Sequence, residues 1–165
     1  MSYRCSICGS EMERTRGDYP FPESGLSGVV LRDIELLKCP KCGAVDPIIP
    51  RFKHLYHFLA RSVLKKENLL CGEEIHFLRL HLGMSAKEFA ALVGVDQSTL
   101  SRWEHDRQRI SPTNDRLIRL IIDSLLKQQP LDELKRLIHL EHPDDQTCAR
   151  LIVEERDGEY HAVIE

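Results

Sequence analysis

Four cysteines constrain this 165-residue chain more than any other feature. Cys5 and Cys8 in "RCSICGS", and Cys39 and Cys42 in "KCPKCGA", form two Cys-x-x-Cys-Gly units about thirty residues apart. Each such turn aims two sulfurs at one ion, and two of them complete a tetrahedral four-thiolate set. Gly9 and Gly43 supply the positive φ that lets backbone amides approach the sulfurs. With four thiolates in place no coordination position is left for water or substrate, so the expected Zn2+ is structural.

Between the pairs, "EMERTRGDYP" and "GVVLRDIELLK" read as extended segments, with Pro20, Pro22 and Gly25 breaking the chain between them. The expected unit is a zinc ribbon or a close relative. So small a segment has little core, and the ion supplies much of its folding free energy. Two other uses of the thiols stay open at this point. The repeated Cys-x-x-Cys-Gly also resembles rubredoxin, which holds iron, and a dithiol redox role needs only one pair. Cys71 and Cys148 lie outside the pattern and are expected to be ordinary buried thiols.

No run of about 18 apolar residues is present, so no membrane span is expected. The amino terminus lacks a signal-peptide pattern, which makes the cytoplasm the expected compartment, and there paired cysteines bind metal more often than they oxidise. The net charge of −3 is unevenly spread. Basic residues exceed acidic ones by three over residues 1–71, the two balance over 72–128, and acids exceed by six over 129–165. An acidic whole can still bind DNA through a local basic surface, and here Arg102, Arg107 and Arg109 cluster. No phosphate-binding glycine loop, nucleophile motif or open metal set points to an enzyme.

Four parts are expected: a zinc-ribbon-like domain over 1–50, a linker helix over 51–71, a helix-turn-helix domain over 72–128 and an extension over 129–165. The fold class is mainly α with a small β component. In the linker, Phe52, Leu55, Tyr56, Leu59 and Val63 recur at helical spacing, which means packing against a neighbouring module or a second subunit. His54 and His57 lack a third ligand. The next helix starts at Gly72, with Glu73 and Glu74 in its first turn and Ile75, Leu78 and Leu82 along one face, and Gly83 stops it. "SAKE" is a capping box between Ser85 and Glu88, opening a short helix that ends at Gly94. Asp96 then caps a third helix, in which Val95, Leu100 and Trp103 face inward.

The outward set is Gln97, Ser98, Thr99, Ser101 and Arg102. Gln suits adenine and Arg suits guanine or phosphate, while the hydroxyls serve either kind of contact. A helical bundle with a merely solvated polar face would give the same periodicity. The order of residues goes further: "GMSAKEFAALVGVDQSTLSRWEHDR" resembles the lambda-repressor-like, or XRE, helix-turn-helix family. The resemblance implies DNA contacts from Gln97, Ser98 and Arg102, a core role for Trp103, and a helix beginning at Ser111-Pro112. The family often has Gln where Ala86 stands and Gly where Asp106 stands. Aspartate tolerates a left-handed backbone, so the turn is expected to survive.

The paired Cys-x-x-Cys-Gly units, the linker and "CGEEIHFLRLHLGMSAKEFA" leading into "STLSRWE" together resemble the MqsA-type, or YgiT-type, zinc-finger and helix-turn-helix antitoxin family over residues 3–128. That resemblance implies zinc on Cys5, Cys8, Cys39 and Cys42, a DNA reader over 96–107 that includes Arg107, and a homodimer on a palindromic operator in double-stranded DNA. It also implies a cognate toxin bound through the zinc module. Beyond it, Pro130 precedes a helix over "LDELKRLIHL", and "CARLIVEERDGEYHAVIE" reads as a hairpin around Asp157-Gly158. The acidic tail is expected to sit away from DNA.

Overall fold

The computed structural model describes residues 3–127, 151–156 and 159–164. A three-stranded antiparallel sheet comes first, in the order β1 (Glu13–Pro20), β2 (Val30–Lys38) and β3 (Val45–Pro47). β1 and β2 pair from Glu13↔Lys38 to Pro20↔Val30, with an irregularity between Gly17 and Tyr19. β3 adds Leu36↔Pro47 and Lys38↔Val45 on the other edge of β2. Between β1 and β2, a 3-10 turn over Pro22–Ser24 ends at Gly25, whose φ of 77° closes it.

Five helices follow: α1 (Phe52–Leu64), α2 (Gly72–His81), α3 (Ala86–Val93), α4 (Gln97–Glu104) and α5 (Pro112–Leu126). Their ends follow the local chemistry. Ser85 Oγ accepts from Glu88 N at 3.2 Å while the Glu88 carboxylate accepts from Ser85 N at 2.8 Å, the reciprocal pairing of a capping box. Ser111 Oγ accepts from Asn114 N, and Pro112 occupies the first helical position, where its missing N–H costs nothing. Asp96 is at the N-cap of α4 with extended backbone, but its side chain accepts no capping hydrogen bond, contrary to the expectation.

The linker helix α1 docks on its own chain, burying Leu59 and Ala60 in the same core as Ile75, Leu78, Phe89, Leu100, Trp103 and Ile118. Arg119 of α5 fixes the connection. Its guanidinium donates to the carbonyls of Leu64 and Lys66 at 2.8 Å and of Asn68 at 2.7 Å, satisfying groups that the end of α1 leaves open. Asp115 orients Arg119 at 2.8 Å and also accepts from Leu70 N at 2.8 Å.

Phe21 and Leu26, from the β1–β2 connection, belong to this helical core and are 2% and 6% exposed. Among the described residues the sheet adds a small second cluster of Cys5, Met12, Leu37 and Cys39.

Strands β4 (Leu151–Arg156) and β5 (Glu159–Ile164) pair antiparallel from Leu151↔Ile164 to Arg156↔Glu159. The Asp157-Gly158 turn, the helix expected over 131–140 and Cys148 lie outside the described residues. Among the described residues no helix is long and apolar enough to cross a membrane.

Candidate functional site

The two cysteine turns have the same backbone construction. Cys5 N donates to Ser10 O and Gly9 N to Cys5 O, at 2.8 and 2.9 Å; Cys39 N donates to Ala44 O and Gly43 N to Cys39 O at the same two distances. Gly9 and Gly43 have φ of 73° and 75°, where a side chain is strained. The turns bring the four sulfurs within 4.8 Å of one another. Cys5 and Cys42 are 3.5 Å apart, and Cys8 and Cys39 are 3.4 Å apart. A tetrahedron with Zn–S bonds of about 2.3 Å has edges of about 3.8 Å, so the cluster is close to the size a single zinc ion requires.

Its charge chemistry also fits a cation. Hydrogen bonds from the Ser10 side chain and backbone hold the Cys8 thiol down to about 6, with Cys39 and Cys42 contributing. Cys42 is pulled down by the backbone of Ala44 but pushed up more strongly by the neighbouring thiols and burial, ending at about 12. Cys8 and Cys42, within one cluster, are thus shifted in opposite directions. A divalent cation favours the thiolate form of a thiol that coordinates it. The residues present fit zinc.

Cys71 is not part of the cluster. It is half-buried at the N-cap of α2 rather than fully buried, its N–H donates to the Glu74 carboxylate at 2.9 Å, and burial pushes its thiol pKa up.

In the helical part of the chain, α3 and α4 meet through the turn at Gly94, whose φ is 76°. Leu100 and Trp103 anchor α4 in the core. Gln97, Ser98, Ser101 and Arg102 are exposed and Thr99 is half-exposed, so the sequence-predicted contact set shares one solvent-facing side of a helix whose opposite side is fixed. Arg102 Nη2 donates to Thr99 Oγ1 at 2.9 Å, which limits the directions its guanidinium can take. After α4, Asp106 N donates to Trp103 O at 3.0 Å and Arg107 N to Arg102 O at 2.8 Å, the paired bonds of a Schellman ending. Asp106 takes the left-handed position with φ of 52°, and Arg107 leaves the turn exposed beside the helix.

A buried ion pair, for which the sequence carries no local signal, lies beside this helix. Glu104 and Arg79 form an ion pair at 2.6 Å, with side chains only 6% and 9% exposed. Arg79 also donates to Met84 O at 3.0 Å, and His76 Nδ1 is 3.2 Å from the Glu104 carboxylate. Burial pushes the Glu104 carboxyl up, but Arg79 and His76 outweigh it and hold it below the usual range. The pair ties α4 to the end of α2. Arg79 reads in sequence as a basic residue suited to a helix end, and nothing local names its partner.

Residues 75–121 match the helix-turn-helix family HTH_3, an XRE-type DNA-binding domain. The match spans the end of α2's first turn to the middle of α5 and leaves the cysteine module outside it. No curated protein matches the chain.

Proposed function

We propose that the chain is a sequence-specific, double-stranded DNA-binding transcriptional repressor with a structural zinc site, acting as a homodimer on a palindromic operator. The observation that carries this reading is the side of α4 bearing Gln97, Ser98, Thr99, Ser101 and Arg102, presented on a helix locked by Leu100, Trp103 and the Arg79–Glu104 pair. In helix-turn-helix docking such a helix enters the major groove with its first residues at base edges. Arg102 then reads guanine or grips phosphate, Gln97 addresses adenine, and Arg107 reaches the adjacent phosphate backbone. Dimerisation supplies specificity, because one helix touches few bases and two half-sites multiply the discrimination. Helix-turn-helix domains of this type are typical of non-enzymatic regulators.

The likeness to the MqsA type supports a narrower form, in which the chain is the antitoxin of a type II toxin–antitoxin pair and represses its own operon. In that form the zinc module holds the toxin.

Binding of zinc-loaded protein to the DNA upstream of its own gene, followed across salt with an Arg102→Ala control, tests the main reading. Specific binding abolished by the substitution is expected. Unchanged specific affinity in Arg102→Ala overturns the role given to α4, and no specific binding by the unaltered chain transfers the function to partner binding by the zinc module.

A further inference from the structure

We infer that metal occupancy of the four-thiol cluster governs the folding of the helix-turn-helix unit, so that the zinc site controls the recognition helix from a distance. The connection between β1 and β2, residues 21–29, supplies a wall of the helical core and joins two strands of the sheet next to the thiol cluster. Phe21 meets Phe52 and Tyr56 edge-on, with ring centroids 6.3 and 6.0 Å apart, and Tyr56 meets Phe77 of α2 at 5.9 Å. Tyr56 also donates its hydroxyl to Glu23 O at 2.9 Å.

A polar route runs beside the apolar one. Ser27 donates through its backbone N and its hydroxyl to the Glu73 carboxylate, at 3.2 and 2.9 Å, which fixes the first turn of α2. The neighbouring Gly72 donates to Asp106, in the turn that ends α4. Residues 21–29 thus touch the base of α2, and the base of α2 touches the end of the recognition helix.

The sheet carrying this wall has little to hold it together at its far end. Its own cluster consists of Cys5, Met12, Leu37 and Cys39, and two of those four belong to the proposed zinc site. A zinc ion contributes folding free energy directly in a module of this kind. Without it the pairing of β1 with β2 loses its anchor, and Phe21 and Leu26 are no longer held against the helices. The helical core then loses two of its buried side chains, which lowers the stability of the unit that contains α4. If α4 reads DNA as proposed above, DNA affinity then depends on metal although no thiol approaches the duplex.

The test follows the folding of α4 itself, using fluorescence of Trp103, the single tryptophan of the chain. Thermal unfolding of the full chain is compared between zinc-loaded protein and protein treated with chelator under reducing conditions. One transition is expected, with its midpoint lowered by about 10 °C or more on zinc removal. Phe21→Ala leaves all four thiols in place and should cut that zinc-dependent shift by at least half. Should Phe21→Ala fail to fold, Glu73→Ala interrupts the polar route and should diminish the same shift. An identical Trp103 midpoint with and without zinc overturns the inference, as does a full zinc-dependent shift in the folded variants. No DNA enters the measurement, so its outcome is independent of whether α4 reads an operator.

Discussion

The carboxylate of Asp106 accepts a 2.8 Å hydrogen bond from the amide of Gly72, joining the turn that ends α4 to the first residue of α2. Both partners are specialised for this contact. Asp106 carries the left-handed backbone of the Schellman ending, where its short polar side chain is tolerated better than most. Gly72 lies so close to the end of α4 that a Cβ would come within 2.6 Å of Glu104 O and 2.7 Å of Trp103 O. Aspartate at 106 therefore terminates one helix and caps another, which glycine could not do.

Substitutions at 106 should separate the two roles. Asp106→Asn keeps an acceptor and tolerance of positive φ, and its stability should stay within about 0.5 kcal/mol of the parent. Asp106→Gly keeps the backbone but loses the cap, at a cost of about 1 kcal/mol. Asp106→Ala loses both and should be the least stable, by about 2–3 kcal/mol. Denaturant unfolding followed by Trp103 fluorescence gives the order, and Ala no worse than Gly would contradict the account.

The Arg79–Glu104 pair gives the acid side of the stability profile a definite sign. The folded-state pKa of Glu104 lies below its unfolded value, so its stabilising contribution is complete above about pH 4.3 and is lost as pH falls through the lowered folded value. Glu104→Gln leaves Arg79 buried without its counter-charge and should cost about 3–5 kcal/mol at neutral pH. Its unfolding free energy should fall less steeply than the parent's below pH 4.3. Replacing both partners, as Arg79→Met with Glu104→Leu, should be milder than Glu104→Gln alone. Denaturant titrations between pH 3 and 7 check all three statements.

What the sequence made legible was what is written locally. The matching glycines of the two cysteine turns, the Ser85–Glu88 box, Ser111-Pro112, and the glycines at 83 and 94 are signals confined to a few residues, and each is at the expected element end. The tolerance of Asp106 for its turn was legible for the same reason. Strand β3 was not, because Val45–Pro47 is three residues long and its pairing depends on β2 already being in place. Arg119 reads as one more charge on an amphipathic helix, and only tertiary placement puts carbonyls from residues 64–68 around it. The same holds for Phe21 and Leu26, whose apolarity is evident in sequence but whose destination in the helical core is not.

Metal stoichiometry offers a direct check on the thiol cluster. The reduced chain should take up one equivalent of zinc, and cobalt substituted for it should give the intense thiolate-to-metal absorption of a tetrahedral four-sulfur site. Cys39 is wholly buried beside Cys5, Met12 and Leu37. Cys39→Ser should weaken the cobalt spectrum and lower affinity at least tenfold, whereas Cys71→Ser should leave both unchanged. Equal loss from the two substitutions would remove the assignment of the four ligands.

The two arginines at the end of α4 should affect DNA binding differently. If α4 enters the major groove as proposed and Arg102, held by Thr99 on the exposed side of the helix, meets a base edge, Arg102→Ala should cost about 1–3 kcal/mol on the specific site and relax the preference at one base position. Arg107 leaves the Schellman turn beside the helix, a placement suited to phosphate. Arg107→Ala should weaken specific and non-specific binding alike, and should reduce the slope of log affinity against log salt by about 1 per protomer. Anisotropy titrations on the upstream DNA and on a scrambled duplex, each at several salt concentrations, distinguish the two effects. An unchanged salt slope for Arg107→Ala, with lost discrimination instead, would exchange the two roles and place the duplex nearer the carboxyl-terminal end of α4.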